Sequence, residues 1–275
     1  MNKEYVNKIH RDIIEIAIKA SKIARENINK DLLNEVVGAN ITGDIIRRID
    51  VILEDFIIKN IFEKGYKALI ISEERGVVKT YEDSNIIFII DPLDGSSNYV
   101  ADTPYASISI AVADKEKNQI ITGVVSEVFR DKVYSFIYGE AAYVNNEKIS
   151  IKKRSLENII LSYVDDLDAL KLLYEIWERL DKPKIRSLGS AALDIVKTAL
   201  GHFRLFIDVR GRLRNIDIAA AYGFSKTLGV YVSDHLGRDL SFKLSDIDKI
   251  KTIIVSSDEE AYLKTLKILR ELREK

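Results

Sequence analysis

The sequence predicts a mixed α/β protein, with an α+β first half, built as two lobes around one cleft. Three observations carry this reading. Apolar stripes of helical period open the chain, short continuous apolar runs of strand length follow, and strands alternate with helices after about residue 151. The lobes are expected to divide at 1–150, with two long helices and a largely antiparallel sheet, and 151–275, an α/β lobe. A hydrophobic content of 47% over 275 residues is enough for a packed core and excludes a disordered chain.

The elements can be justified in order. Ile9, Ile13, Ile16 and Ala20, then Ile23 and Ala24, recur at helical spacing. A second helix is expected from about Asp44, with Ile45, Ile49, Ile52 and Phe56 as its apolar stripe and Gly65 closing the segment. Runs 68–71 and 86–90 have the unbroken apolar character of buried strands. Segments 106–113, 120–125 and 132–138 are rich in strand formers, and Asn145-Asn146 marks a turn. The second half predicts a strand at 159–163 and helices at 166–180 and 190–200. A strand at 204–207, a helix at 217–228 ending at Gly229, a strand at 253–255 and a helix from 258 complete it.

Composition narrows the chemistry. Lys plus Arg (42) nearly cancels Asp plus Glu (43), so no global field draws the chain to nucleic acid or to a membrane. The absence of cysteine excludes disulfides and thiolate metal sites, and His10, His202 and His235 have no zinc-type spacing. Neither a secretory signal nor a run long enough to span a bilayer is present, so a cytoplasmic protein is expected. Abundant Ile, Lys and Glu suit a thermophile, and equally an AT-rich coding bias.

Three separated segments place carboxylates at strand ends or helix starts. Glu73 and Glu74 follow the apolar run ending at Ile71. Asp91-Pro92-Leu93-Asp94-Gly95-Ser96-Ser97-Asn98 follows the run ending at Ile90, where Pro92 should stop the strand and a turn can bring Asp91 and Asp94 together beside the Leu93 carbonyl. Gly95 allows close approach of a ligand, and a helix starting near Ser96 would offer free N–H groups to phosphate. Asp217 opens a helix of small residues. Hard oxygen donors without His or Cys select Mg²⁺, Mn²⁺ or Ca²⁺. Each piece alone has an ordinary explanation: a solvated Glu-Glu loop, a turn, a helix cap. The length of the second segment and its combination with the other two favour a metal-assisted phosphoryl site.

These residues resemble the inositol monophosphatase family. The segments 72–74 and 91–98 are similar to its first signature. Asn215-Ile216-Asp217-Ile218-Ala219-Ala220-Ala221 resembles the second, with Ile216 in place of the usual Trp, and Gly189-Ser190-Ala191-Ala192 matches a further segment. Phe206-Ile207-Asp208-Val209-Arg210, with Arg212 and Arg214, looks like the archaeal subgroup that acts on both fructose 1,6-bisphosphate and inositol 1-phosphate.

The resemblance implies a layered αβαβα sandwich of the sugar-phosphatase type, commonly a homodimer, that hydrolyses small phosphorylated metabolites. It implies Glu73, Asp91, Asp94, the Leu93 carbonyl and the Ser96 hydroxyl around a first Mg²⁺, and Asp91, Asp94 and Asp217 around a second, with a third ion or Mn²⁺ as variants. Glu73, Ser96, Asp50 and Glu74 would form the catalytic set, with Glu74 as a carboxylate behind the ion ligands and Asp50, on the second helix, helping to position the catalytic water and a third ion. Gly95, Ser96, Ser97, Gly189 and Ser190 would line the substrate. A guanidinium at Arg210, with Arg212 beside it, could pair with a second phosphate, which is the reason to favour a bisphosphate; a solvated basic turn is the alternative. Two other functions share these motifs: a nucleotide phosphatase acting on 3'-phosphoadenosine 5'-phosphate or NADP, and a regulator that works by binding protein partners.

Overall fold

The computed structural model describes residues 1–28, 30, 34–39, 45–78, 81, 83–151 and 157–273. Helix α1 (Lys3–Glu26) starts on the Asn2 side chain, which accepts the Tyr5 N–H at 2.8 Å, and buries Ile9, Ile13, Ile16, Ala20 and Ala24 as its spacing predicts. A hairpin of β1 (Val36–Ala39) and β2 (Ile45–Arg47) precedes helix α2 (Arg48–Glu63).

This corrects the expected second helix. Its expected start at Asp44 lies outside the described residues, and Ile45 is in a strand. Ile45 is 56% exposed and Ile52 37% exposed, whereas Ile49, Leu53, Ile57 and Ile61 are buried. The segment holds two overlapping i, i+3/i+4 rows, and the packed one also carries Asp50 and Glu54 inward. The Asp50 carboxylate accepts the Arg47 N–H at 2.9 Å, which fixes where the helix begins.

An eight-stranded sheet follows. Its strands are β3 (Leu69–Ser72), β4 (Gly76–Val78), β5 (Ile86–Asp94), β6 (Ser107–Asp114), β7 (Gln119–Glu127), β8 (Val133–Ile137), β9 (Ala141–Val144) and β10 (Glu147–Ile149), in the spatial order β10-β9-β8-β7-β6-β5-β3-β4. Only β3 and β5 run parallel. The Asn145-Asn146 turn joins β9 to β10 with positive φ at both residues (49° and 65°).

Pro92 does not end β5 as the sequence suggests. The strand continues to Asp94 through a bulge: Asp91 pairs with Ser109 and Asp94 with Ser107, so Pro92 and Leu93 together face Ile108. A short helix α3 (Ser96–Val100) comes directly after.

The second half contributes a five-stranded sheet of order β12-β11-β13-β17-β15, from β11 (Ile159–Ser162), β12 (Lys184–Arg186), β13 (Leu205–Asp208), β15 (Tyr231–Ser233) and β17 (Ile253–Ser256). β14 (Leu213–Arg214) pairs with β16 (Lys249–Ile250). The helices are α4 (Leu167–Arg179), α5 (Ala191–Ala199), α6 (Asn215–Leu228) and α7 (Glu259–Arg273).

Helices and sheets stack in five layers. α1 and α2 cover one face of the large sheet, α5 and α6 lie between the two sheets, and α4 and α7 cover the outer face of the small one. β5 explains its own unbroken apolar run. Ile86, Phe88 and Ile90 point to α1 and α2, while Ile87 and Ile89 point to the central helices, so both strand faces are core. Among the described residues no helix is long and apolar enough to cross a membrane.

Candidate active site

The ends of β3 and β5 and the start of α6 meet at one cleft of about 600 Å³. Of the residues singled out in the sequence, Glu73, Asp91, Leu93, Asp94, Gly95, Ser96, Ser97, Gly189, Arg210, Arg212 and Asp217 line it. The Leu93 side chain belongs to the core beneath α1 and α2, so that residue meets the cleft through its backbone. Asp50, Glu74 and Ser190 are set back from the cleft wall.

The backbone around Gly95 is fitted tightly. Its φ is +89°, and a Cβ there would lie 2.9 Å from the Tyr105 carbonyl oxygen and 3.2 Å from that of Gly189. Asn98 stitches the two segments by donating to the carbonyls of Tyr105 (2.9 Å) and Leu188 (2.6 Å). Gly189, at φ +84°, leaves room for that Asn98 side chain.

Asp94 is held by four donors. It accepts the backbone N–H groups of Ala191 and Ala192, both at 2.9 Å, the Ser107 hydroxyl at 3.2 Å, and the Ser190 hydroxyl. A strand-end carboxylate thus caps the N-terminus of α5. Ser190 is fully buried and spends its hydroxyl on Asp94.

Burial dominates the electrostatics. It raises Asp94 to about 7 against the hydrogen bonds from Ser190, Ala192 and Ala191, and raises Asp217 to about 6 against the Arg214 guanidinium. Asp91 is held well above the carboxylate range by burial and then by the charges of Glu73, Asp94 and Asp217. Burial and the nearby Glu73 also raise Glu74 to about 9, and burial raises Asp50 to about 7.

Sequence reasoning missed the part played by Arg214. Its side chain is 8% exposed and its guanidinium reaches Asp217 Oδ1 at 2.9 Å and also Glu73 Oε1. Arg214 N–H donates to Asp217 at 2.6 Å, so Asp217 sits in the first turn of α6 and caps it. Glu54, Asp194 and Tyr163 were also missed. The Asp194 carboxylate is buried among the hydroxyls of Tyr105 (2.7 Å) and Tyr163 (2.5 Å). Arg210 is committed: it reaches Asp208 at 2.8 and 2.5 Å and Asp165 at 2.8 Å, and stacks 4.7 Å over the Tyr163 ring. Arg212 is 61% exposed and 3.3 Å from Asp165. A spacing signal existed for Glu54 alone, one helical turn after Asp50.

The donor chemistry fits a hard divalent cation. Buried carboxylates repel one another here, with one guanidinium among them, and no softer ligand lines the cleft. Among the described residues no group of three or more His, Cys, Asp or Glu side chains is placed to hold an ion by itself, so water and phosphate oxygens would have to supply much of the coordination.

Comparison with known proteins gives the family. The profile of the "Inositol monophosphatase family" matches residues 6–274. An inositol-1-monophosphatase of Aeropyrum pernix is 32% identical over 92% of this chain and 94% of its own. A fructose-1,6-bisphosphatase/inositol-1-monophosphatase of Methanocaldococcus jannaschii is 30% identical over 82% of this chain and 85% of its own. A crystal structure of an inositol monophosphatase-fructose 1,6 bisphosphatase superposes with a TM-score of 0.79 at 28% identity, covering 98% of this chain and all of the other. With its acid-lined cleft, its five layers and a family match along nearly its whole length, the chain belongs to the inositol monophosphatase family and is a phosphoric monoester hydrolase.

Proposed function

We propose that the protein hydrolyses phosphate monoesters of small sugars and cyclitols, with fructose 1,6-bisphosphate and inositol 1-phosphate as its substrates and Mg²⁺ as its cofactor. The observation that carries this reading is one cleft lined both by the carboxylates Glu73, Asp91, Asp94 and Asp217 and by the arginines Arg210, Arg212 and Arg214. Asp91, Asp94, Glu73 and Asp217, with the Leu93 carbonyl and the Ser96 hydroxyl, are the groups that would hold the ions. Bound there, the ions supply positive charge that lowers the barrier to attack on phosphorus.

The chain's own groups do the rest. The reacting phosphate lies against the backbone of Gly95, Ser96 and Ser97, where first-turn N–H groups lack helical acceptors. Glu73, oriented by Arg214, accepts a proton from the attacking water. Asp217, ionised and paired with Arg214, would orient a water that protonates the departing alkoxide, and Glu73 passes the proton it accepted back to that water, so the protons balance. Arg212, the more exposed of the two rim arginines, meets a second phosphate, and Arg210 braces the wall behind it. Positioning and charge account for most of the rate.

Phosphate release from a panel of phosphorylated metabolites, with Mg²⁺ and with a chelator, tests the proposal. Turnover of fructose 1,6-bisphosphate and inositol 1-phosphate that the chelator abolishes is expected. Turnover confined to 3'-phosphoadenosine 5'-phosphate or NADP would overturn the substrate reading.

A further inference from the structure

Glu54 is fully buried on α2, one turn after Asp50, and belongs to no step described above. Its Oε1 accepts the backbone N–H groups of Glu74 and Arg75, both at 3.2 Å. Its Oε2 lies 3.0 Å from Arg75 Nε but makes no hydrogen bond, so that contact is one of charge. Arg75 also pairs with the surface carboxylate of Asp55.

The three residues Glu73, Glu74 and Arg75 form the whole turn between β3 and β4, which close on each other at Ser72 and Gly76. The amides of Glu74 and Arg75 have no strand partner, and Glu54 supplies their acceptor from twenty residues away. A neutral oxygen would satisfy two amides. A buried carboxylate is a costly choice, more so beside Asp50 and Glu74, whose carboxyls its charge helps to push up. Its charge also draws Arg75 across the turn. Both contacts fix the direction in which Glu73 leaves the turn for the cleft.

We propose that Glu54 is a positioning residue: by clamping the 73–75 turn to α2 it aims Glu73 at Asp91 and sets the affinity of the cleft for Mg²⁺. The proposal rests on the metal-dependent reading given above.

The test uses the full chain as Glu54→Ala, Glu54→Gln and, as a control on the surface pair, Asp55→Ala. Mg²⁺ binding is measured by calorimetry without substrate, amide exchange at Glu74 and Arg75 by NMR, and phosphate release as a function of Mg²⁺. For Glu54→Ala the Mg²⁺ dissociation constant should rise about tenfold or more, as for other residues that orient metal ligands. Its two amides should exchange faster, and kcat at saturating Mg²⁺ should stay within about threefold of wild type. Glu54→Gln keeps an oxygen for the amides and loses the charge, so its amides should stay protected and its affinity fall about threefold. Asp55→Ala should bind as wild type does.

Wild-type Mg²⁺ affinity in Glu54→Ala, with its amides released, overturns the proposal. If Glu54→Ala does not fold, wild-type affinity in Glu54→Gln overturns it instead. A wild-type protein that binds no Mg²⁺ overturns the metal-dependent reading itself, a result separable from either variant's.

Discussion

Asp94 shows how one side chain joins fold and chemistry. Its carboxylate caps α5 through two amides and takes two hydroxyls, yet it also faces the cleft. In Asp94→Asn an NH₂ group must face at least one of those donors, at a cost of about 1–3 kcal/mol for the unsatisfied group. A lower melting temperature is expected, together with a loss of phosphate release of about 100-fold. Wild-type turnover at saturating Mg²⁺ would remove Asp94 from the proposed ligand set. The arginines separate differently. Arg210→Glu would add a third carboxylate beside Asp208 and Asp165 and so damage the wall itself. Among the described residues Arg212 pairs with Asp165, and Arg212→Glu is the cleaner probe. It should raise KM for fructose 1,6-bisphosphate about tenfold relative to inositol 1-phosphate, the scale of one exposed charge contact reversed; equal changes on both substrates would exclude a second-phosphate role.

At the scale of elements, what the sequence made legible follows from how local its signals are. α1, β5 and α5 were readable because burial alone dictates their patterns. The bulge in β5 was not, because Pro92 has the same local look in a terminated strand as in a bulged one, and only pairing with β6 separates them. The phase of α2 failed because its apolar residues fit two faces, and contacts with α1 and the sheet chose between them. Arg214 reads as one of three arginines in a basic turn, and nothing in its neighbours signals that Glu73, far off in sequence, waits for it. The central packing carries a similar hidden constraint. Phe136 on β8 fits between Gly123 on β7 and Gly223 on α6, where an added Cβ would come within 2.7 and 2.2 Å of the ring. Ala in place of Gly normally gains about 1 kcal/mol in a helix. Here overpacking should win, and Gly223→Ala is expected to cost about 1–3 kcal/mol in a denaturant titration. Combining it with Phe136→Leu should recover part of that loss; no recovery would place the strain elsewhere.

For the molecule as a whole, stability is coupled to pH by the carboxylates inside it. Asp194 is the clearest case outside the proposed ligand set, raised to about 7 chiefly by burial despite its bonds from Tyr163 and Tyr105. The unfolded chain ionises this group near its ordinary value of 3.8, while the folded one keeps the proton until about 7. Between those values the folded state binds more protons, so stability falls as pH rises, and above about 7 the full penalty is present. Asp194→Asn removes the titration while keeping one oxygen acceptor. Its stability from pH 4.5 to 8, measured by chemical unfolding, should decline less steeply than that of wild type. Parallel profiles would show that Asp194 ionises alike in both states.

The arginine-bearing turn between β13 and β14 lies at the rim, whereas the acids proposed to hold the ions lie in β5, at the start of α6 and on the short turn after β3, close against two cores. Under the proposed roles, selectivity and turnover are housed in separate parts of the chain. A graft of residues 209–213 from a relative with another preference would redirect which ester is chosen while leaving the hydrolytic engine in place.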